Sequence, residues 1–189
     1  MFEHIRNKIA ARIHRLLPVR TARRFARQQD GVAAIEFAMV AVPFLALTFA
    51  ILETALVFFA TQALETAAAD SARLIMTGQA QNAGYTKDDF KTQVCNRLAG
   101  SFFNCANGVY VDVKTYNNFA SANASSPVVN GQFDSTKMGY SPGTQGSIVV
   151  VTLYYQWPIH VSLLDANLPN LNGSYRLLAA TSAFRNEPY

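Results

Sequence analysis

Histidine and cysteine are scarce, at three and two residues in 189. His4 and His14 both precede residue 30 and supply no metal site, and Cys95 and Cys105 show neither a CxxC motif nor zinc-ligand spacing. His160, Ser162 and Asp165 lie close together, but a strand-to-loop cluster gives no triad geometry. Glycines 139, 143 and 146 do not make a phosphate-binding loop. These gaps exclude the common enzyme classes and leave no cofactor, metal or small-molecule substrate to argue for. Charge is missing as well: the sixteen residues from Phe37 to Leu52 carry none.

Where charge does occur, its placement matters more than its sum. The whole chain is formally +4, yet residues 1 to 30 hold eight basic side chains (Arg6, Lys8, Arg12, Arg15, Arg20, Arg23, Arg24, Arg27) against Glu3 and Asp30, a net of +6. Subtracting that from +4 leaves −2 for residues 31 to 189, so the remainder offers no electrostatic footprint for nucleic acid. Lysine and arginine beside an apolar span stay on the cytoplasmic side, which puts the N-terminus inside and the C-terminal part in the periplasm, a single pass through the inner membrane. Arg23-Arg24-Phe25 superficially resembles a twin-arginine signal, but the flanking residues fit poorly. Ile5, Ile9, Ile13 and Leu16 or Leu17 give the basic segment one apolar stripe that can rest on the anionic leaflet, and Pro18 ends or kinks it. An even cysteine count in an oxidising compartment favours a Cys95–Cys105 disulfide over two buried thiols, stabilising the fold by roughly 2 to 3 kcal/mol.

The uncharged run dictates a helix. Val32 to Leu52 is 21 residues, about 31 Å at 1.5 Å each, matching a hydrocarbon core of about 30 Å. Glu36 then falls near the cytoplasmic edge and Glu53 near the outer edge, where Glu53 marks the water boundary or meets another subunit's cation. Pro43 lacks a backbone donor, so a bend or local unwinding is expected there. Beyond Glu53, Leu56, Phe59, Ala60, Ala63, Ala67, Ser71, Leu74 and Ile75 recur at three- and four-residue spacing, an amphipathic continuation that Gly78 stops. The whole helix, Val32 to Thr77, would be 46 residues and about 69 Å.

Residues 79–189 read as an exported α+β domain. Thr86 with Asp89 reads as an N-cap for a short helix that carries Phe90, Val94 and Leu98 and ends at Gly100. Val109 to Lys114 alternates as a strand with one buried face, and Ser147 to Trp157, apolar on both faces and limited by Pro158, reads as a central strand. Tyr175 to Phe184 is the last strand. Residues 117–146, rich in Asn, Ser, Gly and Pro, read as a long, flexible loop.

Asp30-Gly31-Val32-Ala33-Ala34-Ile35-Glu36-Phe37 resembles a type IV prepilin processing site, with Glu36 as the fifth residue after cleavage. Phe37 after Glu36, Ala50-Ile51-Leu52-Glu53, Gln62 to Ala68, Ala72-Arg73-Leu74, Thr77-Gly78, the cysteine pair, the Val109 to Tyr116 strand and the Phe184 to Pro188 ending are all similar to TadE-like minor pilins (pseudopilins) of tight-adherence (Tad, Flp) systems. The resemblance implies a lollipop-shaped pilin: leader 1–31 removed by prepilin peptidase between Gly31 and Val32, membrane half-helix 32–53, amphipathic half 54–78, and a small, mainly antiparallel sheet domain. It implies assembly through Glu36 and Phe37, with Glu53 as a second helix acid. Its partners would be the peptidase, major and minor pilins, the Tad inner-membrane platform and the membrane. An uncleaved single-pass binding module and a secreted protein cut near Ala67-Ala68-Ala69 are the competing readings.

Overall fold

A computed structural model describes residues 30–98, 103–122, 126–159 and 170–189. The basic segment 1–29 with its arginine pair and histidines, Gly100, and the His160, Ser162 and Asp165 cluster lie outside these residues. The chain divides into two units, one up to Thr48 and one from Phe49 to Tyr189.

The long helix is present as α1, Asp30–Met76, 47 residues. Between Phe44 and Met76 it contains neither glycine nor proline and is rich in alanine and leucine, the residues that lose least on entering a helix. It also runs through Pro43 without a break. Of the bend or local unwinding expected from the missing donor, the unwinding does not occur. Gly78 ends the run in the left-handed conformation at φ 74°, donating its N–H to the Ile75 carbonyl at 3.1 Å. A β-carbon there would also strike the ring of Tyr189, so backbone conformation and close packing both require glycine.

In the second unit α1 is one-sided. Val57, Ala60, Leu64, Ala67, Ala68, Ser71, Ala72 and Ile75 are buried, while Gln62, Glu65, Thr66, Asp70 and Arg73 face solvent. That stripe joins one apolar cluster with the sheet, and each fully buried Leu64 or Ile75 is worth about 1.5–3 kcal/mol. The short helix α2, Gln79–Asn82, follows and has no clear signal in the sequence.

Helix α3, Lys87–Arg97, opens with the expected capping box. Thr86 Oγ1 accepts from the Asp89 N–H at 3.2 Å, and the Asp89 carboxylate accepts from the Thr86 N–H at 3.0 Å and hydroxyl at 2.7 Å. Phe90 and Val94 are wholly buried beneath it. A single further turn, α4, Cys105–Gly108, is bridged to α3 through Cys95–Cys105, whose Cα atoms are 5.8 Å apart.

Three antiparallel strands, β1 (Val109–Tyr116), β4 (Ile148–Pro158) and β5 (Tyr175–Arg185), form a sheet in the order β1-β4-β5. Register pairs Val111 with Leu153 and Val113 with Val151, then Leu153 with Ala180 and Val149 with Phe184. Alternation therefore turns Val109, Val111, Val113, Val149, Val151, Leu153, Leu178 and Ala180 toward the cluster shared with α1. As its composition foretold, β4 is central and buried on both faces from Val149 to Tyr155.

The layer on its second face comes from the segment expected to be a loop. Its described part holds a hairpin of β2 (Val128–Val129) and β3 (Gln132–Phe133), with Phe133 packed edge-on against Tyr110 at 4.7 Å and near Tyr154 at 6.0 Å between ring centroids. Val113 donates to the Gly139 carbonyl at 3.0 Å and accepts from the Ser141 N–H at 2.9 Å, closing the outer edge of β1 at that point.

The residues after β5 return to the end of α1. Asn186, 3% exposed, donates its side-chain amide to the carbonyls of Pro142 at 2.9 Å and Thr144 at 3.0 Å, and the Glu187 N–H donates to the Met76 carbonyl at 2.9 Å. Asn186→Ala should remove this buried donor from both carbonyls and lower stability by about 1–3 kcal/mol, measurable as a lower urea midpoint of the full chain in detergent.

The Thr86 hydrogen bonds hold the Asp89 carboxyl below its usual range. A depressed pKa means that this contribution is present above the unfolded value of about 3.9 and is lost as pH falls through the folded one. Acid titration of Asp89→Asn should therefore show a shallower loss of stability below about pH 4 than the parent.

Candidate functional site at the helix mouth

The residues singled out by the sequence lie on α1, and they fall into very different environments. Around Gly31 the space is open, with no atom within 4 Å of where a β-carbon would stand, and Gly31 is not among the glycines with positive φ. Neither packing nor backbone conformation calls for glycine here, although glycine inside a helix costs about 0.5–1 kcal/mol relative to alanine. Among the described residues, nothing in the fold explains its presence.

Glu36 stands one turn further on and is exposed. Among the described residues it makes no hydrogen bond or ion pair. Its surroundings are apolar and equally uncovered: Val32 (55%), Ile35 (60%), Phe37 (74%) and Val40 (68%). The helix from Gly31 is long and apolar enough to cross a membrane, and its most apolar 18-residue window, of mean hydropathy 2.2, is entirely unburied. Within the uncharged run from Phe37 to Leu52 the one hydroxyl, that of Thr48, donates to the Phe44 carbonyl at 2.8 Å, which an apolar solvent requires.

Glu53 differs from Glu36 in every respect. It is only 7% exposed and opens the domain-facing stripe, four residues before Val57 and seven before Ala60. Sequence spacing marked it as the acid at the outer edge, available to water or to a neighbouring subunit; what spacing did not reveal is that it lies on the buried side of the helix. The signal was there in the i, i+4, i+7 continuation of the stripe back from Leu64. Of these two acids, Glu36 is exposed and Glu53 is buried.

Ala67 and Ala68 are 0% and 1% exposed in the middle of the stripe, so cleavage there would strip Val57, Ala60 and Leu64 from the core. That weighs against the reading in which a signal peptidase cuts near these alanines.

Away from the helix, a shallow pocket on the second face of the sheet is lined by Asp112, Lys114, Asp134, Lys137, Met138 and Tyr154, among others. Its charges serve the fold: Asp112 accepts from Lys114 Nζ at 2.7 Å and from the Gly139 N–H at 2.9 Å, and the Asp112 partner raises the Lys114 pKa. Burial pushes the Tyr140 phenol, packed on Phe90 with centroids 5.6 Å apart, up to about 12. Among the described residues, no three of His, Cys, Asp and Glu gather as a metal site.

Exposure separates the two glutamates experimentally. Glu36→Ala should leave the urea midpoint of the detergent-solubilised chain within the equivalent of about 0.5 kcal/mol, whereas Glu53→Ala should lower stability by about 1–3 kcal/mol.

No curated protein and no solved structure matches the chain. A family model does: that of the TadE-like proteins, over residues 31–73, the stretch that begins at Gly31, contains both glutamates and ends one turn before the close of α1. Over that segment of its helix, the chain is similar to the TadE-like proteins.

Proposed function

We propose that this chain is a minor pilin, or pseudopilin, of a Tad (Flp) pilus that helps to initiate or prime the filament and so supports adhesion and biofilm formation. The observation that carries the reading is the pairing of an unexplained, accessible Gly31 with an exposed carboxylate five residues later on an uncovered apolar helix. The family match over the same residues supports it. The role is structural: the helix is the working part, and the exported domain rides on it.

In this mechanism prepilin peptidase hydrolyses the Gly31–Val32 bond on the cytoplasmic side. Water adds across the amide, leaving a carboxylate on Gly31 and a free amine on Val32. With a reference pKa of about 7.7–8.0 the amine is largely protonated at neutral pH. Glu36, four residues along, neutralises it within the subunit or neutralises that of an adjacent subunit. The latter fixes the axial register in which major and minor pilins add at the Tad inner-membrane platform. In a low-dielectric helix bundle such a pair matters because either charge left alone is costly. Phe37 contributes apolar surface next to the pair.

N-terminal sequencing of protein extracted from cells should begin at Val32. A chain still beginning at Met1 in cells with normal pili would overturn the proposal and favour an uncleaved anchor. Gly31→Leu should keep the leader and run as a heavier band. Glu36→Gln should be processed yet enter pili about tenfold less or worse, the equivalent of about 1.4 kcal/mol, scored by immunoblot of sheared filaments.

A further inference from the structure

The sequence alone sets the outer membrane boundary at Leu52, because Glu53 is charged. The structure removes that reason. Glu53 is covered by the exported domain itself, and the outward side of α1 stays apolar past it: Ile51 (61%), Leu52 (53%), Leu56 (46%), Phe58 (71%) and Phe59 (53%) are all uncovered. Polarity changes only one turn later, where the exposed positions become Gln62, Glu65, Thr66 and Asp70. In the same stretch Thr54 and Thr61 turn their hydroxyls back to the Ala50 and Val57 carbonyls, each at 2.8 Å.

From this we infer that the apolar side of α1 from Phe49 to Phe59 lies in the outer leaflet of the bilayer, so that the exported domain sits directly on the membrane and shields Glu53 from lipid. The inference rests on the membrane-anchor reading of α1 and extends it. Length selects lipid as the occupant. Val32 to Phe59 is 28 residues, about 42 Å of helix, which matches the roughly 40–45 Å of a bilayer counted with its headgroup layers rather than the hydrocarbon core alone. A protein partner in the periplasm would have no reason to lose its apolar contact at that depth. The amphipathic design also fits a bilayer surface: the side of α1 turned to lipid is apolar while the opposite side, Glu53, Val57 and Ala60, is sealed by the domain.

The test uses the full chain reconstituted in vesicles of phosphatidylethanolamine and phosphatidylglycerol, with the native cysteines left in their disulfide. Single substitutions Phe44→Cys, Leu56→Cys, Phe58→Cys and Thr66→Cys are labelled with a membrane-impermeant maleimide. Labelling at 56 and 58 should be about tenfold or more slower than at 66 and similar to 44, because the reacting thiolate does not form in lipid. If 56 and 58 label as fast as 66 while 44 stays protected, the boundary is at Leu52 and the inference falls while the anchor stands. If 44 labels as well, the anchor reading fails with it. Protection of 58 in whole cells but not in vesicles would mean that another protein covers this surface, which also overturns the inference. None of these outcomes depends on cleavage after Gly31, so the proposed function is tested separately.

Discussion

The interaction on which everything else rests is the burial of one stripe of α1, Val57 through Ile75, against the odd-numbered face of β1 and β4. It fixes which way the helix faces, and so decides which of its residues remain available. Small side chains dominate the contact: Ala60, Ala67, Ala68 and Ala72 are 0–3% exposed, so the fit depends on a few large groups, chiefly Leu64 and Ile75. The opposite side is free to be whatever its medium requires. It is apolar as far as Phe59 and polar from Gln62 onward, and neither choice affects the core.

That division explains the contrast between the two carboxylates. A charge is tolerated on an apolar helix where it has a partner or reaches water. Glu53 is enclosed by its own domain, while Glu36 has been left uncovered on a helix that lacks any other charge between Asp30 and Glu53. The same reasoning singles out Gly31. Gly78 is required twice over, by its φ and by Tyr189, whereas nothing among the described residues requires Gly31.

Much of the architecture was legible because it follows from periodicity. The helix bounds, the Thr86 capping box, the central placement of β4 and the β1 and β5 spans all come from patterns in which each residue reports on its neighbours. The cysteine pair followed from compartment chemistry. What stayed hidden depended on contacts distant in sequence. The 126–141 cover over the sheet rests on Phe133 meeting Tyr110 and Tyr154 and on Asp112 binding the Gly139 N–H, and a stretch rich in Asn, Ser and Gly carries no periodic sign of either. The burial of Glu53 was missed because a charged residue next to a membrane-length run reads first as a boundary. At Pro43 the hydrogen-bonded helix continues, so of the two outcomes expected from a missing donor the unwinding does not occur.

The meeting of Glu187 with Met76 has a mechanical consequence. Any pull along α1 reaches the packed domain through the full length of the buried stripe rather than at one point. Every alanine and leucine along it would have to slide at once, and the far end is held by the strand terminus clasped at Met76. A helix inserted this way behaves like a tenon in a mortise: it resists withdrawal along its axis far better than peeling from one end.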